Sequence, residues 1–335
     1  MNNEIIQKKI LSYNNYLLNK AQLQERLGLL DGKLGLSIYL YAQYREFQDK
    51  VYESRADEWL KFVLDNIDKI SDYSLATGLT GIGVGVMYLL EKGFCEGNPN
   101  HILKEIDDVL FKALSISLDN KGSNPQEDII KCLYFCRRMR HTGLSGRERV
   151  LFEELITRSF NKVSNSMPFL FGSEPPVFSP TSYSLLLYLY WMTMMSDLHL
   201  YETKIMRIKQ EWGEKISAVH PLSIGHRYLL ERMISMTPNT PQYKLLNRNT
   251  SIEDFFSLEM RNYSLTIESG VSGLWLFMRM IGIQDARINC LIKEKIESSE
   301  IWLKLEDDSS TILKDNLFMG LPGIILTYQD LSNHA

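Results

Sequence analysis

The chain has little cysteine, no one-sided charge and no long apolar run, and each shortage removes a class of function. Its four cysteines, Cys95, Cys132, Cys136 and Cys290, are scattered and form no Cys-x-x-Cys. Spacing of that kind builds neither a disulfide framework nor a structural zinc module. Cys132 and Cys136 share a helix face and read as reduced core thiols; His141 alone is near enough to join them on a metal. The formal net charge is −4, so no basic field grips a phosphate backbone and nucleic acid is not an expected partner. The longest apolar run, Tyr183 to Met195, is shorter than the roughly 18–20 residues of a membrane span and reads as a buried helix. The opening Met1-Asn-Asn-Glu-Ile-Ile-Gln-Lys-Lys is polar and lacks the apolar centre of a secretory signal. The expectation is a cytoplasmic protein.

What the chain does have is a repeated glycine pair. Gly-x-x-Gly occurs at Gly32–Gly35, Gly78–Gly81, Gly143–Gly146, Gly270–Gly273 and Gly320–Gly323, mostly ahead of an apolar stretch such as Val86-Met-Tyr-Leu-Leu. The unit reads as a glycine turn opening an apolar helix. Glycine there permits close approach and a turn with φ > 0, which makes these residues architectural.

Between the turns run amphipathic patterns. In the stretch 53–70, Ala56, Trp59, Leu60, Val63, Leu64, Ile67 and Ile70 fall in steps of three and four among residues that are mostly Glu, Asp, Lys and Asn. The same pattern predicts helices over 1–27, 101–118, 126–139, 199–217, 251–261 and 285–304. Apolar helices are expected after Gly35 and Gly78 and over Thr181–Met195. Proline-rich Met167–Pro180 and Thr237–Pro241 read as loops. Counting degenerate turns at Pro180-Thr181-Ser182 and His220–Gly225 gives seven units of about 35–65 residues. An amphipathic helix needs an outer wall, and a helix apolar on most sides needs neighbours around it. Two concentric helical layers meet both demands. The expected fold is therefore all-α, an α/α toroid, with residues 1–335 as one domain.

Seven such units resemble the lanthionine synthetase C-like (LanC-like) family of peptide cyclases over almost the whole chain. The most specific pieces are Thr77-Gly-Leu-Thr-Gly-Ile-Gly, Ser269-Gly-Val-Ser-Gly-Leu and Met319-Gly-Leu-Pro-Gly-Ile. The resemblance implies a seven-fold α/α barrel acting in ribosomal peptide modification, such as lantibiotic biosynthesis. There, Cys thiols of a precursor peptide add to dehydrated Ser or Thr side chains and form thioether rings. It also implies zinc, held by a Cys in a Trp-Cys-x-Gly turn and by a Cys-His pair before the next Gly-x-x-Gly. This chain departs from that pattern. Its fifth turn is His220-Pro-Leu-Ser-Ile-Gly225, and its sixth has Glu268-Ser269 where Cys-His is expected. The usual zinc site is therefore read as lost and no cofactor is expected. The family's fourth-unit histidine has no counterpart either.

Without zinc, another group must take the thiol proton, since an unperturbed thiol has a pKa near 8.5. Helix N-termini at the turns are one expected aid, because they favour thiolates. The candidate catalytic residues flank the turns. Glu268 reads as a general base or a carboxylate orienting a peptide amine, and His220 and His226 as acid–base groups. Asp31 and His141 precede the first and third turns. Each has a plainer reading, a helix-terminal acid for Glu268 and cap, turn or loop residues for the others. Two functions follow: a zinc-independent peptide cyclase, or a non-catalytic subunit holding a precursor peptide or a peptide-modifying enzyme. A glycosidase is a weaker alternative, with Asp31 and Glu268 as its paired carboxylates. The 167–180 loop is a candidate lid.

Overall fold

A computed structural model describes residues 3–19, 26–120, 122–140, 144–166, 170, 178–217, 223–235, 251–304 and 315–333. Among them the regular structure is helical, and β-type pairing is limited to two isolated bridges, Leu27 with Gly32 and Ser264 with Gly270. The helices in chain order are α1 (Asn3–Asn19), α2 (Lys33–Phe47), α3 (Lys50–Leu64), α4 (Leu79–Glu91), α5 (Pro99–Ile102), α6 (Lys104–Asp119), α7 (Pro125–Arg140) and α8 (Gly146–Ser164). They continue as α9 (Ser184–Asp197), α10 (Glu202–Ser217), α11 (Ile224–Ser235), α12 (Ile252–Glu259), α13 (Val271–Met280), α14 (Ala286–Glu297), α15 (Ile301–Lys304) and α16 (Leu321–Asn333). Contacts gather into two compact units, Met1–Gly85 with Glu253–Ala335, and Val86–Ile252.

In the first unit, α2 is buried on most sides, from Leu34 through Tyr41 and again at Gln43. Its neighbour α3 is amphipathic and buries Tyr52, Ala56, Trp59, Leu60 and Val63. A tight link joins them: Gln48 adopts a left-handed φ of 57° and Asp49 caps α3 by accepting from Val51 N–H at 3.0 Å. The buried face of α2 also carries amides. Asn14 donates to Gln43 Oε1 at 3.0 Å, and Gln43 and Gln329 exchange side-chain bonds at 2.8 and 3.2 Å. Tyr39 donates to Asn14 Oδ1 at 2.5 Å. This chain of satisfied amides ties α1, α2 and α16 together and fixes which faces meet.

In the second unit the apolar stretch forms α9, buried along nearly its whole length and packed against α7, α10 and α11. Phe160 stacks on Tyr188 at 5.6 Å and meets Trp191 edge-on at 5.5 Å. Arg138, 1% exposed, donates through Nε and Nη2 to Asp107, which also accepts from Tyr134 at 2.5 Å. That buried pair holds α7 to α6.

Several boundaries differ from the sequence reading. The 53–70 helix ends at Leu64, followed by a 3-10 turn at Ile67–Lys69. The 285–304 stretch divides at Ser298–Glu300 into α14 and the short α15. Gly146 differs from the second glycine of the other turns, and Gly143 lies outside the described residues. Gly146 begins the amphipathic α8 through a capping box of Ser145 and Glu148, and a Cβ there meets nothing within 4 Å. Most of the 167–180 loop, and Thr237–Pro241, lie outside the described residues.

Candidate functional site

The remaining glycine turns share one construction, all in the first unit. Each is a loop that folds back over the helix it opens. Lys33 N–H reaches Arg26 O at 2.9 Å, Leu79 N–H reaches Asp72 O at 2.9 Å, and Val271 N–H reaches Ser264 O at 3.0 Å. Two residues further on, Gly35, Gly81 and Gly273 donate to Gly28, Ser74 and Thr266 at 3.3–3.4 Å. The second glycine lies under a carbonyl of its own loop. A Cβ on Gly35, Gly81, Gly273 or Gly323 would stand 2.0–2.2 Å from the oxygen of Leu29, Leu75, Ile267 or Leu317.

Two expectations are corrected here. The described glycines with positive φ are Gly93, Gly97 and Gly282, none of them in a Gly-x-x-Gly pair. Close approach, and not a left-handed turn, is what the pairs require. The N-terminal N–H groups of α2, α4 and α13 named above are also occupied by loop carbonyls. They are not an open binding place for a thiolate at these turns.

The turns are joined to one another through a single equivalent position, two residues before the first glycine. Glu268 N–H donates to Phe318 O, Phe318 N–H to Leu30 O, and Leu30 N–H to Ala76 O, each at 3.0 Å. Asp31 N–H adds a bond to Ala76 O at 3.3 Å. The result is a ladder of four peptide groups running Glu268, Phe318, Leu30, Ala76. All four residues are half-exposed.

The acids around this ladder differ in what they hold. Asp31 is buried; Arg26 donates to one oxygen and Asn316 to the other at 2.9 Å. Asn316 in turn accepts from Met319 N–H at 2.8 Å. Asp31 thus ties the first turn to the last, and its carboxylate is occupied. Asp72 accepts from Ser74 Oγ at 2.6 Å, from Ser74 N–H at 2.9 Å, and from Thr77 Oγ1. Partial burial pushes its pKa up, but these donors outweigh that and hold the carboxyl below the usual carboxylate range. Asp315 accepts from Tyr13 and Tyr16 at 3.1 and 3.2 Å. Glu268 is the exception: among the described residues its carboxylate makes no hydrogen bond or ion pair. Beside it, Ser264 Oγ lies 2.9 Å from Thr266 Oγ1 and 3.2 Å from Ser269 Oγ.

His226 sits in the second unit and is fully buried. Ser179 N–H donates to its Nε2 at 3.2 Å, so that nitrogen carries a lone pair and the neutral ring bears its proton on Nδ1. Nδ1 has no partner. Phe178 and Tyr183 flank the ring at 4.8 and 4.7 Å. Burial pushes its pKa down to about 4. A neutral, enclosed imidazole of this kind supports the 178–183 segment through Ser179. His220 and His141 lie outside the described residues. The structure therefore brings Asp31 and Glu268 onto one ladder, with Asp31 committed to internal bonds.

Cys132 and Cys136 are both enclosed; burial raises both thiols, Cys136 to about 12. Cys290 is exposed and its thiol is raised by a hydrogen bond to Glu294. Among the described residues no three His, Cys, Asp or Glu side chains gather in a way that holds a metal ion. Leu30, Ala76, Phe318 and Asn316 were not singled out from the sequence. Leu30, Ala76 and Phe318 carried a signal, since they stand, like Glu268, two residues before a glycine pair, and Asn316 carried none.

No helix among the described residues is long and apolar enough to cross a membrane. No protein-family model and no curated protein sequence matches the chain. Among solved structures it is similar to one titled nisin cyclase, with a TM-score of 0.54 and 13% identity over 100% of this chain and 95% of that one. At that identity the likeness establishes the fold alone: an all-helical α/α toroid.

Proposed function

We propose that this chain is a single LanC-like domain of ribosomal peptide modification, cytoplasmic, which holds a precursor peptide against its glycine turns with Glu268 as the receiving group. The observation that carries this reading is the unpartnered, half-exposed carboxylate of Glu268, on a ladder whose other acids are engaged. The fold of nisin cyclase supports the peptide context. A carboxylate as such is a weak base toward a thiol, because their ordinary pKa values differ by about four units. Its stronger role is to orient an ammonium or N–H group of the peptide. A partner enzyme that dehydrates the peptide fits the same arrangement.

A second reading keeps the chemistry. With Glu268 as base, a peptide Cys loses its proton to the carboxylate and its sulfur bonds to Cβ of a dehydrated residue. The C=C electrons move to the carbonyl as an enolate, and the proton returns to Cα, closing a thioether. The same free carboxylate favours this reading. The glycosidase alternative is not supported, because Asp31 is held by Arg26 and Asn316.

One experiment separates them. The purified chain is mixed with a dehydrated, Cys-containing peptide, and free thiols and binding are both followed. Binding with an unchanged thiol count supports the holding role. Thiol loss that disappears in Glu268→Gln supports the base. Neither binding nor thiol loss defeats both.

A further inference from the structure

We infer that the four-residue ladder selects the sequence of the peptide it holds: a lysine or arginine, then any residue, then a large apolar one. The inference rests on the peptide reading above and narrows it to a substrate class.

The ladder brings unlike side chains into a fixed order. Glu268 stands at one end, followed by Phe318, Leu30 and Ala76, each joined to the next by a 3.0 Å peptide hydrogen bond. Neighbouring chain segments paired in this way lie about 5 Å apart, so the strip extends about 15 Å from Glu268 to Ala76. An extended peptide crossing it advances about 3.3 Å per residue and shows alternate side chains to the same face, about 7 Å apart. A side chain over Glu268 is thus followed, two residues on, by one between Phe318 and Leu30.

The chemistry of each position follows. Glu268 offers a carboxylate without an internal partner, so it calls for a cation. The neighbouring turns add two further acids, Asp72 and Asp315, while the Asp31 charge is compensated by Arg26 and the Lys33 ammonium lies 3.5 Å over the Phe62 ring. Acids at Glu268, Asp72 and Asp315 favour a basic peptide group over an acidic one. Phe318 and Leu30 are half-exposed apolar residues side by side, which suits a large apolar side chain. Ala76 is small and imposes little on the next alternate position.

The test uses the full chain and three fluorescein-labelled heptapeptides: Gly-Gly-Lys-Ser-Leu-Gly-Gly, the same peptide with Glu for Lys, and the same peptide with Ser for Leu. Fluorescence anisotropy reads the binding. The lysine peptide is expected to bind about tenfold tighter than the glutamate peptide, the change from an attractive to a repulsive half-exposed pair. Glu268→Lys should invert that preference, which a merely structural role for Glu268 would not do. Phe318→Ser should bring the leucine peptide to the level of its serine counterpart; Leu30→Ser serves if that variant fails to fold, as judged by thermal melting. Equal binding of the lysine and glutamate peptides overturns the inference. So does a preference that survives in Glu268→Lys, or no binding of any of the three. These peptides contain no thiol, so selectivity here is independent of the thiol-count experiment, and either reading can fail alone.

Discussion

Replacing Gly81 by alanine is the sharpest test of how these turns are built. A Cβ at Gly81 would stand 2.0 Å from Leu75 O and 2.9 Å from Leu75 C. Both are backbone atoms, so no rotamer change relieves the clash. The loop must retreat by about 1 Å before the contact becomes tolerable, which carries its hydrogen bonds beyond useful length. Two are at stake, Gly81 N–H to Ser74 O at 3.3 Å and Leu79 N–H to Asp72 O at 2.9 Å. Losing both and leaving the donors buried costs about 3–4 kcal/mol, and alanine's better helix propensity returns about 1. The expected net loss is about 2–3 kcal/mol. Two controls grade the effect. The nearest atoms to a Cβ at Gly85 belong to side chains, Leu34 Cδ2 at 2.6 Å, Leu29 Cδ1 at 3.0 Å and Leu34 Cγ at 3.1 Å, so repacking can absorb it and Gly85→Ala should cost about 1 kcal/mol, less than Gly81→Ala. Gly146 has open space around it, so Gly146→Ala should be neutral or stabilising by up to about 1 kcal/mol. Urea denaturation followed by circular dichroism measures all three, with the slope checked for constancy. If Gly81→Ala unfolds at the same urea concentration as Gly146→Ala, the close-approach account of the repeated glycine pair is wrong.

Two other outcomes follow from the second unit. His226 has a pKa of about 4 in the folded chain against about 6.5 when unfolded, so the unfolded state binds the extra proton between those values. Stability should therefore fall as pH drops through that window, by about 2.5 kcal/mol from pH 7 to pH 4.5. His226→Gln should lack that component while sharing the rest of the acid sensitivity; identical pH profiles would refute the buried neutral ring. Thiol labelling makes the second check. Cys290 should react with iodoacetamide in the native chain, whereas Cys132 and Cys136 should react only after unfolding, because they are enclosed and Cys290 is exposed. Native labelling of Cys136 would show that the α7–α9 core opens.

Helix existence and burial were legible because they depend on spacing along the chain. The steps of three and four from Ala56 to Val63 require one buried face, and α3 buries that face. The uninterrupted apolar run of α9 requires neighbours on several sides, and α7, α10 and α11 supply them. The repeated glycine pair marked where helices begin. It did not reveal why glycine is needed, because a short contact between Gly81 and Leu75 O exists only once the loop has folded back. Nor did it separate Gly143–Gly146, whose residues match the pattern while its helix starts by an ordinary cap.

The candidate site was only half legible for the same reason. Glu268 and Asp31 look alike in sequence, each an acid just ahead of a glycine pair. Their difference comes from residues far along the chain: Asn316 occupies Asp31, and no side chain among the described residues bonds the Glu268 carboxylate. Leu30, Ala76 and Phe318 drew no notice as single residues, and tertiary packing made them neighbours of Glu268 through peptide hydrogen bonds. Sequence by itself determined which segments are helical, which faces are apolar and where the turns fall, because those are properties of local spacing. Tertiary structure alone decided which carboxylate is left unpartnered and which side chains stand beside it, because both depend on groups brought together from distant parts of the chain.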